Sequence, residues 1–493
     1  MRGRFLWKLI GILLAVALAA AACGNDDEDV SDVGGSDRPA ASASPAPEPD
    51  DTSVPEPDDT PAPEPDDTSV PESDDAPVPT PDDTPVPEPG TDYEALGLWD
   101  DGPCDASLAP LVVSLQTVFA SPVLTLVDQA QALEAAAEAF NQRGGANGHC
   151  IEVHTCDDNA DPNKALECVR DLDREGVAVT INDTVVAGAV DVGPAYADAG
   201  IPRFAISPQT VDYGDMNSYP FDAGGAGTSI MMPQGLLDQG ITTMGTVRVD
   251  LAAAAQLTAI FPMVFGPRGA EFVADLPVPG GTTDYSQFIL SAERAGAEGL
   301  VIPLGGQEAI QLLDAAKDLG SELLVSGSLG TFPYVDIAGL GDFASQIILN
   351  AAIPPATFDH PVVKVLADDL AASGVEALQT ENLKSSPMRS WVGLYALLYI
   401  IRESGTTDFS RENLKALIDA AEEIPMIGLM PTTWTPSAIN PGQFPRSGTG
   451  SYSFWVWDPE AEWNGNQGNF VLGSEASFID AMCGTPFGAP PPC

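Results

Sequence analysis

From about Cys104 to Cys493 the sequence predicts an α/β protein of two lobes, each a mostly parallel sheet flanked by helices. Three observations carry that prediction. Short apolar runs alternate with helical repeats of period 3.6, the pattern of successive βα units joined by right-handed crossovers. A second βα series starts afresh near Met244. The segment is about 390 residues long, more than one hydrophobic core serves. Two such sheets, each with its ligand edge at the strand C-termini, make the cleft between them the natural binding place.

The elements follow in order. Leu111-Val112-Val113 reads as a strand, and Leu126, Ala130, Leu133, Ala137 and Phe140 then mark one face of a helix that Gly144-Gly145 ends. Ile151–Thr155 is the next strand. Asp161-Pro162 starts a helix with Ala165, Val169 and Leu172 on one face. Val177–Ile181 is a third strand, and a helix through Tyr196 leads to Ile201-Pro202. The second series has strands at Thr246–Val249, Phe272–Ala274, Leu300–Leu304 and Leu323–Val325. Helices at Tyr285–Ala295 and Glu308–Leu319 lie between the last three. Ser390–Ile401 is apolar, but its dozen residues suit a core helix better than a membrane span. Tyr452–Trp457 and Asn469–Leu472 read as an antiparallel hairpin.

The segment ahead of this domain is of another kind. Arg2, Arg4 and Lys8 precede an apolar run, Leu9 to Ala22, that stops at Cys23-Gly24, as in a secretory signal. A cysteine directly after Ala20-Ala21-Ala22 resembles the lipobox of bacterial lipoproteins, whose thiol is diacylated. Residues 1–22 are therefore expected to be a lipoprotein signal peptide and Cys23 the lipid-bearing residue. Between Asn25 and Asp101 stand 25 acidic residues against a single basic one, Arg38, and an octad, Pro-Glu-Pro-Asp-Asp-Thr-x-x, repeats from Pro47. Such a segment buries too little apolar surface to offset its ordering entropy. Its prolines and like charges favour extended polyproline II. Residues 23–103 are expected to be a disordered, lipid-anchored stalk.

Charge and cysteines restrict the function further. The net charge of −52 argues against nucleic acid or anionic lipid headgroups as partners. Six cysteines follow Cys23, an even number that in an exported domain reads as three disulfides. Cys483 and Cys493 bracket a Gly/Pro-rich tail and are expected to pair. No Gly-x-Ser-x-Gly, His-Glu-x-x-His or Gly-x-x-x-x-Gly-Lys motif is present, so no catalytic residue and no cofactor is assigned. Scattered Asp and Glu leave an exported hydrolase as the less favoured alternative.

Several segments resemble the branched-chain-amino-acid-type solute-binding proteins of ABC importers, the periplasmic binding fold of type I. Phe140-Asn141-x-x-Gly144-Gly145-x-Asn147-Gly148 is similar to the family's helix end. Cys156-Asp157-Asp158-x-x-Asp161-Pro162-x-x-Ala165 resembles its DD-x-x-DP-x-x-A segment. Ala199-Gly200-Ile201-Pro202 with Ile206-Ser207-Pro208 resembles GIP-x-IS-P, and Asp284-Tyr285-Ser286 its DFS helix start. The resemblance implies a Venus-flytrap with three interlobe crossings, near Ala223–Gly227, Asn350–Pro354 and Pro431–Trp434. The solute-binding domain would be 104–493, with lobe one about 105–225 and 353–432 and lobe two about 226–352 and 433–493. In that topology Cys104 is expected to meet Cys150, and Cys156 to meet Cys168. A metal site at the cluster His149, Cys150, His154 and Cys156 is the rival reading, disfavoured because zinc sites use closer paired spacings.

Carried over position by position, the resemblance implies ligand contacts from Gln116, Phe119, Asp183, Thr184, Ser207, Gln209, Thr210, Asp250, Gln307 and Ser328. The acidic residue that amino-acid binders use for the ammonium aligns near Ser328, so a leucine-like zwitterion would be poorly held. The expected ligand is a small polar solute, neutral or anionic. The expected function is its capture outside the cytoplasm by a lipid-anchored monomer that delivers it to an ABC importer permease. A ligand-sensing ectodomain is the alternative, since both tasks use the same closing motion.

Overall fold

The computed structural model describes residues 91–121 and 125–492. The predicted signal peptide, lipidation at Cys23, the octad repeats and the Cys483–Cys493 pairing all involve residues outside these.

The first sheet takes β1 (Leu111–Thr117), β2 (Ile151–Asp157), β3 (Val179–Ile181), β4 (Arg203–Phe204) and β5 (Ser218–Tyr219) in the order β2-β1-β3-β4-β5. Its pairs are all parallel. Its crossovers are α1 (Val127–Gln142), α2 (Pro162–Arg174) and α3 (Ala189–Ala199). Local chemistry sets the helix starts: the Asp161 carboxylate accepts the Asn163 and Lys164 N–H groups at 2.7 and 3.2 Å, and Pro162 needs no partner at the first helical position.

After β5 the chain enters α4 (Gly224–Asp238) and the second sheet. There follow β6 (Thr243–Val249), α5 (Ala252–Thr258), α6 (Phe261–Phe265), β7 (Glu271–Val278), α7 (Ser286–Arg294), β8 (Gly299–Val301), α8 (Gly306–Leu319), β9 (Leu324–Ser328), α9 (Tyr334–Ala338) and β10 (Ile347–Ala351). It then returns to the first lobe for α10 (Pro361–Ala371), α11 (Ser385–Ser404) and α12 (Arg411–Ala420). It ends with the hairpin β11 (Ser451–Trp463) and β12 (Asn466–Ser477), then α13 (Phe478–Met482). The second sheet has the order β12-β11-β10-β9-β8-β6-β7, antiparallel only where β11 meets β10 and β12.

The helix α11 is buried nearly all round, with Trp391, Leu394, Tyr395 and Leu398 inaccessible, and it packs on α1 and β3. It runs longer than the predicted Ser390–Ile401. Among the described residues no helix is long and apolar enough to cross a membrane.

Two boundaries differ from the sequence reading. Residues 92–103, assigned there to the stalk, pack on the first lobe: Leu98 is buried and Trp99 stacks on Tyr395 at 5.8 Å. An acidic neighbourhood masked this short apolar cluster. Trp434 lies in the first lobe's core, 4.9 Å from the Phe204 ring, and Thr449 still donates to the Phe221 carbonyl. The third passage between sheets therefore falls just ahead of Ser451, later than Pro431–Trp434.

Cys104 is bonded to Cys150 and Cys156 to Cys168. His154 sits between two carboxylates, 2.9 Å from Glu152 and 2.8 Å from Glu175. Among the described residues no group of three or more His, Cys, Asp or Glu is placed to hold a metal ion.

Candidate functional site

The strand ends of the first lobe face the second across a cleft, and backbone turns shape its wall. Asn182 (φ +57°) and Ala205 (φ +52°) break β3 and β4 with left-handed residues. The loops after them are tied together where Ser207 N–H donates to the Asp183 carbonyl at 3.0 Å. The Asp183 carboxylate is turned inward. It accepts the Gln116 N–H at 2.8 Å and the Thr180 hydroxyl, and it lies 3.9 Å from the Arg203 guanidinium. Burial pushes its carboxyl up to about 6, although Arg203 pulls the other way.

Two adjoining cavities occupy the cleft. The inner one, about 300 Å³, takes Ser207, Asp222, Ser385, Ser386 and Arg389 from the first lobe and its crossings. From the second lobe and α4 come Thr228, Ser229, Met232, Pro303, Leu304, Ser328 and Thr331. The outer one, about 540 Å³, is lined by the apolar Leu126, Ile230, Leu257, Ile260 and Phe444 together with Thr184, Gln209, Thr210, Tyr213 and Gln256. Gln129, Ser207, Gly225, Ser229, Gly330 and Ser386 stand in both walls.

Arg389 is the charged centre. It is 8 % exposed, and its guanidinium pairs with Asp222, 2 % exposed. Its Nε donates to Asn182 Oδ1 at 3.3 Å and its Nη2 to the Ile206 carbonyl at 3.1 Å. The guanidinium also lies 4.2 Å from the Phe221 ring centroid. Asp222, just ahead of α4, also accepts the Gly224 N–H at 2.8 Å. Gln129 is fixed by the Thr184 and Thr117 hydroxyls, which donate to its side-chain oxygen at 3.2 and 3.4 Å. Its neighbour Asp128 has its carboxyl pushed up by burial, against the pull of Lys384, and lines neither cavity.

The lobes touch across the mouth. Val335 N–H donates to the Glu381 carbonyl at 3.1 Å, and a Cβ built on Gly330 would stand 3.5 Å from the Ser385 hydroxyl.

Of the residues expected to bind ligand, the structure gathers Thr184, Ser207, Gln209, Thr210 and Ser328 in these walls. It places the others elsewhere. Gln116 is sealed in the first lobe against Tyr196 and Ala165, and Asp183 is buried as described. Phe119 packs on the first lobe's core, while Asp250 is exposed just past β6 and Gln307 is exposed in the first turn of α8. The resemblance pointed to loops that border these cavities, but not to which side chain of each loop turns inward. Gln129, Asp222, Ser385, Ser386 and Arg389 were missed. Arg389 carried a usable signal, a cation ahead of the long apolar run of its helix in a chain with only 20 Lys and Arg.

The periplasmic binding protein family model matches residues 112–441. No curated protein sequence matches the chain. Among solved structures, the leucine-, isoleucine-, valine-, threonine- and alanine-binding protein of Brucella ovis, in its closed conformation, is similar at TM-score 0.61 and 13% identity. That match covers 76% of this chain and 97% of the other. An ABC-transporter solute-binding protein of R. palustris, in complex with 4-hydroxybenzoate, gives 0.58 and 14%, covering 74% and 96%. A fatty acid ABC transporter substrate-binding protein of Thermomonospora curvata gives 0.58 and 17%, covering 76% and 93%.

Proposed function

The chain belongs to the periplasmic binding protein family, and on that premise we propose that it captures a small solute outside the cytoplasm and hands it to an ABC importer. The observation that carries this reading is the cleft itself. Two lobes joined by three chain passages line one pair of adjoining cavities, and residues from both lobes contribute to each wall. A ligand contacting both sides favours the closed arrangement over the open one by the difference in its contacts. An importer that recognises the closed arrangement then receives loaded protein only. The similar structures fit this use: one is an amino-acid-binding protein, one is seen with 4-hydroxybenzoate, and one is named for fatty acids.

Retention at the cell surface is part of the proposal. The sequence up to Cys23 supports lipid attachment at that thiol, and the octad segment supports a stalk that lifts the domain from the membrane. Among the described cleft residues the one carboxylate, Asp222, is paired with Arg389, which suits holding a solute better than proton transfer.

The test is small-angle scattering of purified protein with and without the solute that co-purifies, identified by mass spectrometry. Compaction on adding that solute is expected. Turnover of the solute to a product would overturn the reading. For the anchor, a Cys23→Ala variant is expected to lose incorporation of labelled fatty acid and to be shed from membranes.

A further inference from the structure

We propose that the solute is an apolar monocarboxylic acid, its carboxylate held at Arg389 and its body lodged in the outer cavity. This rests on the solute-capture reading above and narrows it to one class of ligand.

Size gives the first argument. Spaces of about 300 and 540 Å³ that share six wall residues fall in the range that buries ligands of drug-like size. An amino acid would occupy a fraction of that and leave apolar wall exposed within a closed cleft.

Chemistry separates the two ends. The outer wall presents Leu126, Ile230, Leu257, Ile260 and Phe444, which gain only by covering apolar surface. The inner wall differs in carrying a charged pair and hydroxyls, Arg389 with Asp222 and Ser207, Thr228, Ser385 and Ser386, among apolar neighbours such as Met232 and Leu304. Three bonds fix Arg389 to Asp222, Asn182 and Ile206, and a guanidinium has five N–H groups to give. The start of the 15-residue helix α4 adds to this. Its Ala223 cap makes no side-chain hydrogen bond, and Gly225, with no side chain to shield its backbone, stands in both walls.

Charge then selects an acid. Asp222 is the only carboxylate among the described wall residues, and it already serves both Arg389 and the Gly224 N–H. One carboxylate faces a full cation and a helix start, so the inner end keeps a positive excess that suits an anion. An ammonium would find no unpaired carboxylate among the described wall residues. A carboxylate gains charge-assisted hydrogen bonds that a neutral amide of the same shape does not.

The experiment is calorimetric titration of the full folded domain with matched probes: octanoate and 4-hydroxybenzoate, their amides, octylamine, and leucine. At least one acid is expected to bind, at least tenfold tighter than its amide, with octylamine and leucine weaker still. Leu257→Asp places a carboxylate in the outer wall without touching the Arg389 pair, and is expected to weaken the acid at least tenfold while far-ultraviolet circular dichroism stays unchanged. Amide or leucine binding as tight as the acids, or no binding by either acid, overturns the inference. If a sugar, amide or amino acid nevertheless compacts the protein in scattering, solute capture stands and only the ligand class falls.

Discussion

Arg389 and Asp222 form a buried ion pair between the first turns of α11 and the passage that carries the chain from β5 into α4. The pair therefore joins the ligand wall to a lobe crossing, and movement of one element is felt by the other. Asn182 and the Ile206 carbonyl complete the guanidinium's shell, so the loops after β3 and β4 are held by the same side chain.

Removing one partner strands the other. Arg389→Met is expected to cost about 3–5 kcal/mol in urea unfolding, because Asp222 is left charged and buried. Asp222→Asn combined with Arg389→Met should recover a large part of that loss. Equal destabilisation in the single and double variants would show that the pair is not coupled.

The Asp183 carboxyl gives a pH dependence of definite sign. Its folded value is raised from 3.8 to about 6 by burial, so between these values the folded state holds a proton that the unfolded chain releases. This group's contribution makes the protein less stable as pH rises through that window, by roughly 2–3 kcal/mol in all. Above about pH 6 no more is lost. Asp183→Asn is expected to remove this part of the slope; unfolding series at pH 4 to 7 that run parallel in both proteins would refute it.

Gly393 lets α11 lie directly on the first sheet. An added Cβ would come within 2.8 Å of both Ala205 Cβ and Ile181 Cγ2. Gly393→Ala should thus overpack the interface and cost about 1–3 kcal/mol, read by thermal or urea unfolding. An unchanged midpoint would mean that the helix shifts freely.

Gly330 occupies the lobe contact opposite Ser385. A Gly330→Phe variant is expected to wedge the mouth apart and weaken ligand binding at least tenfold, with no loss of the compact fold. Scattering should show that ligand no longer compacts it. Normal closure in this variant would place the lobe contact elsewhere.

The bond between Cys156 and Cys168 closes a short loop from the edge strand β2 to α2. Replacing both with Ser is expected to lower stability by about 3 kcal/mol, largely through the unfolded chain's regained freedom. Unfolding curves that superimpose on the parent's would contradict this.

The sequence alone determined the fold class and the order of its larger elements. Apolar period and capping are local properties: Asp161-Pro162 starts a helix wherever it lies, and Ile151–Thr155 alternates as a strand before any partner is known. The family segments from Phe140 to Pro208 identified the loops that border the cleft for the same reason, being written in contiguous residues. Two-residue strands such as β4 and β5 were not legible, since their pairing is imposed by neighbours rather than by their own pattern. Nor were the inward-facing side chains. Whether Asp183 or Thr184 turns toward solute depends on Arg203 and Gln116, which lie far away in sequence and come close only when the sheet forms. The Arg389–Asp222 pair, separated by 167 residues, is the clearest case. Burial and charge pairing act through space, so tertiary structure alone decided what fills the cleft wall.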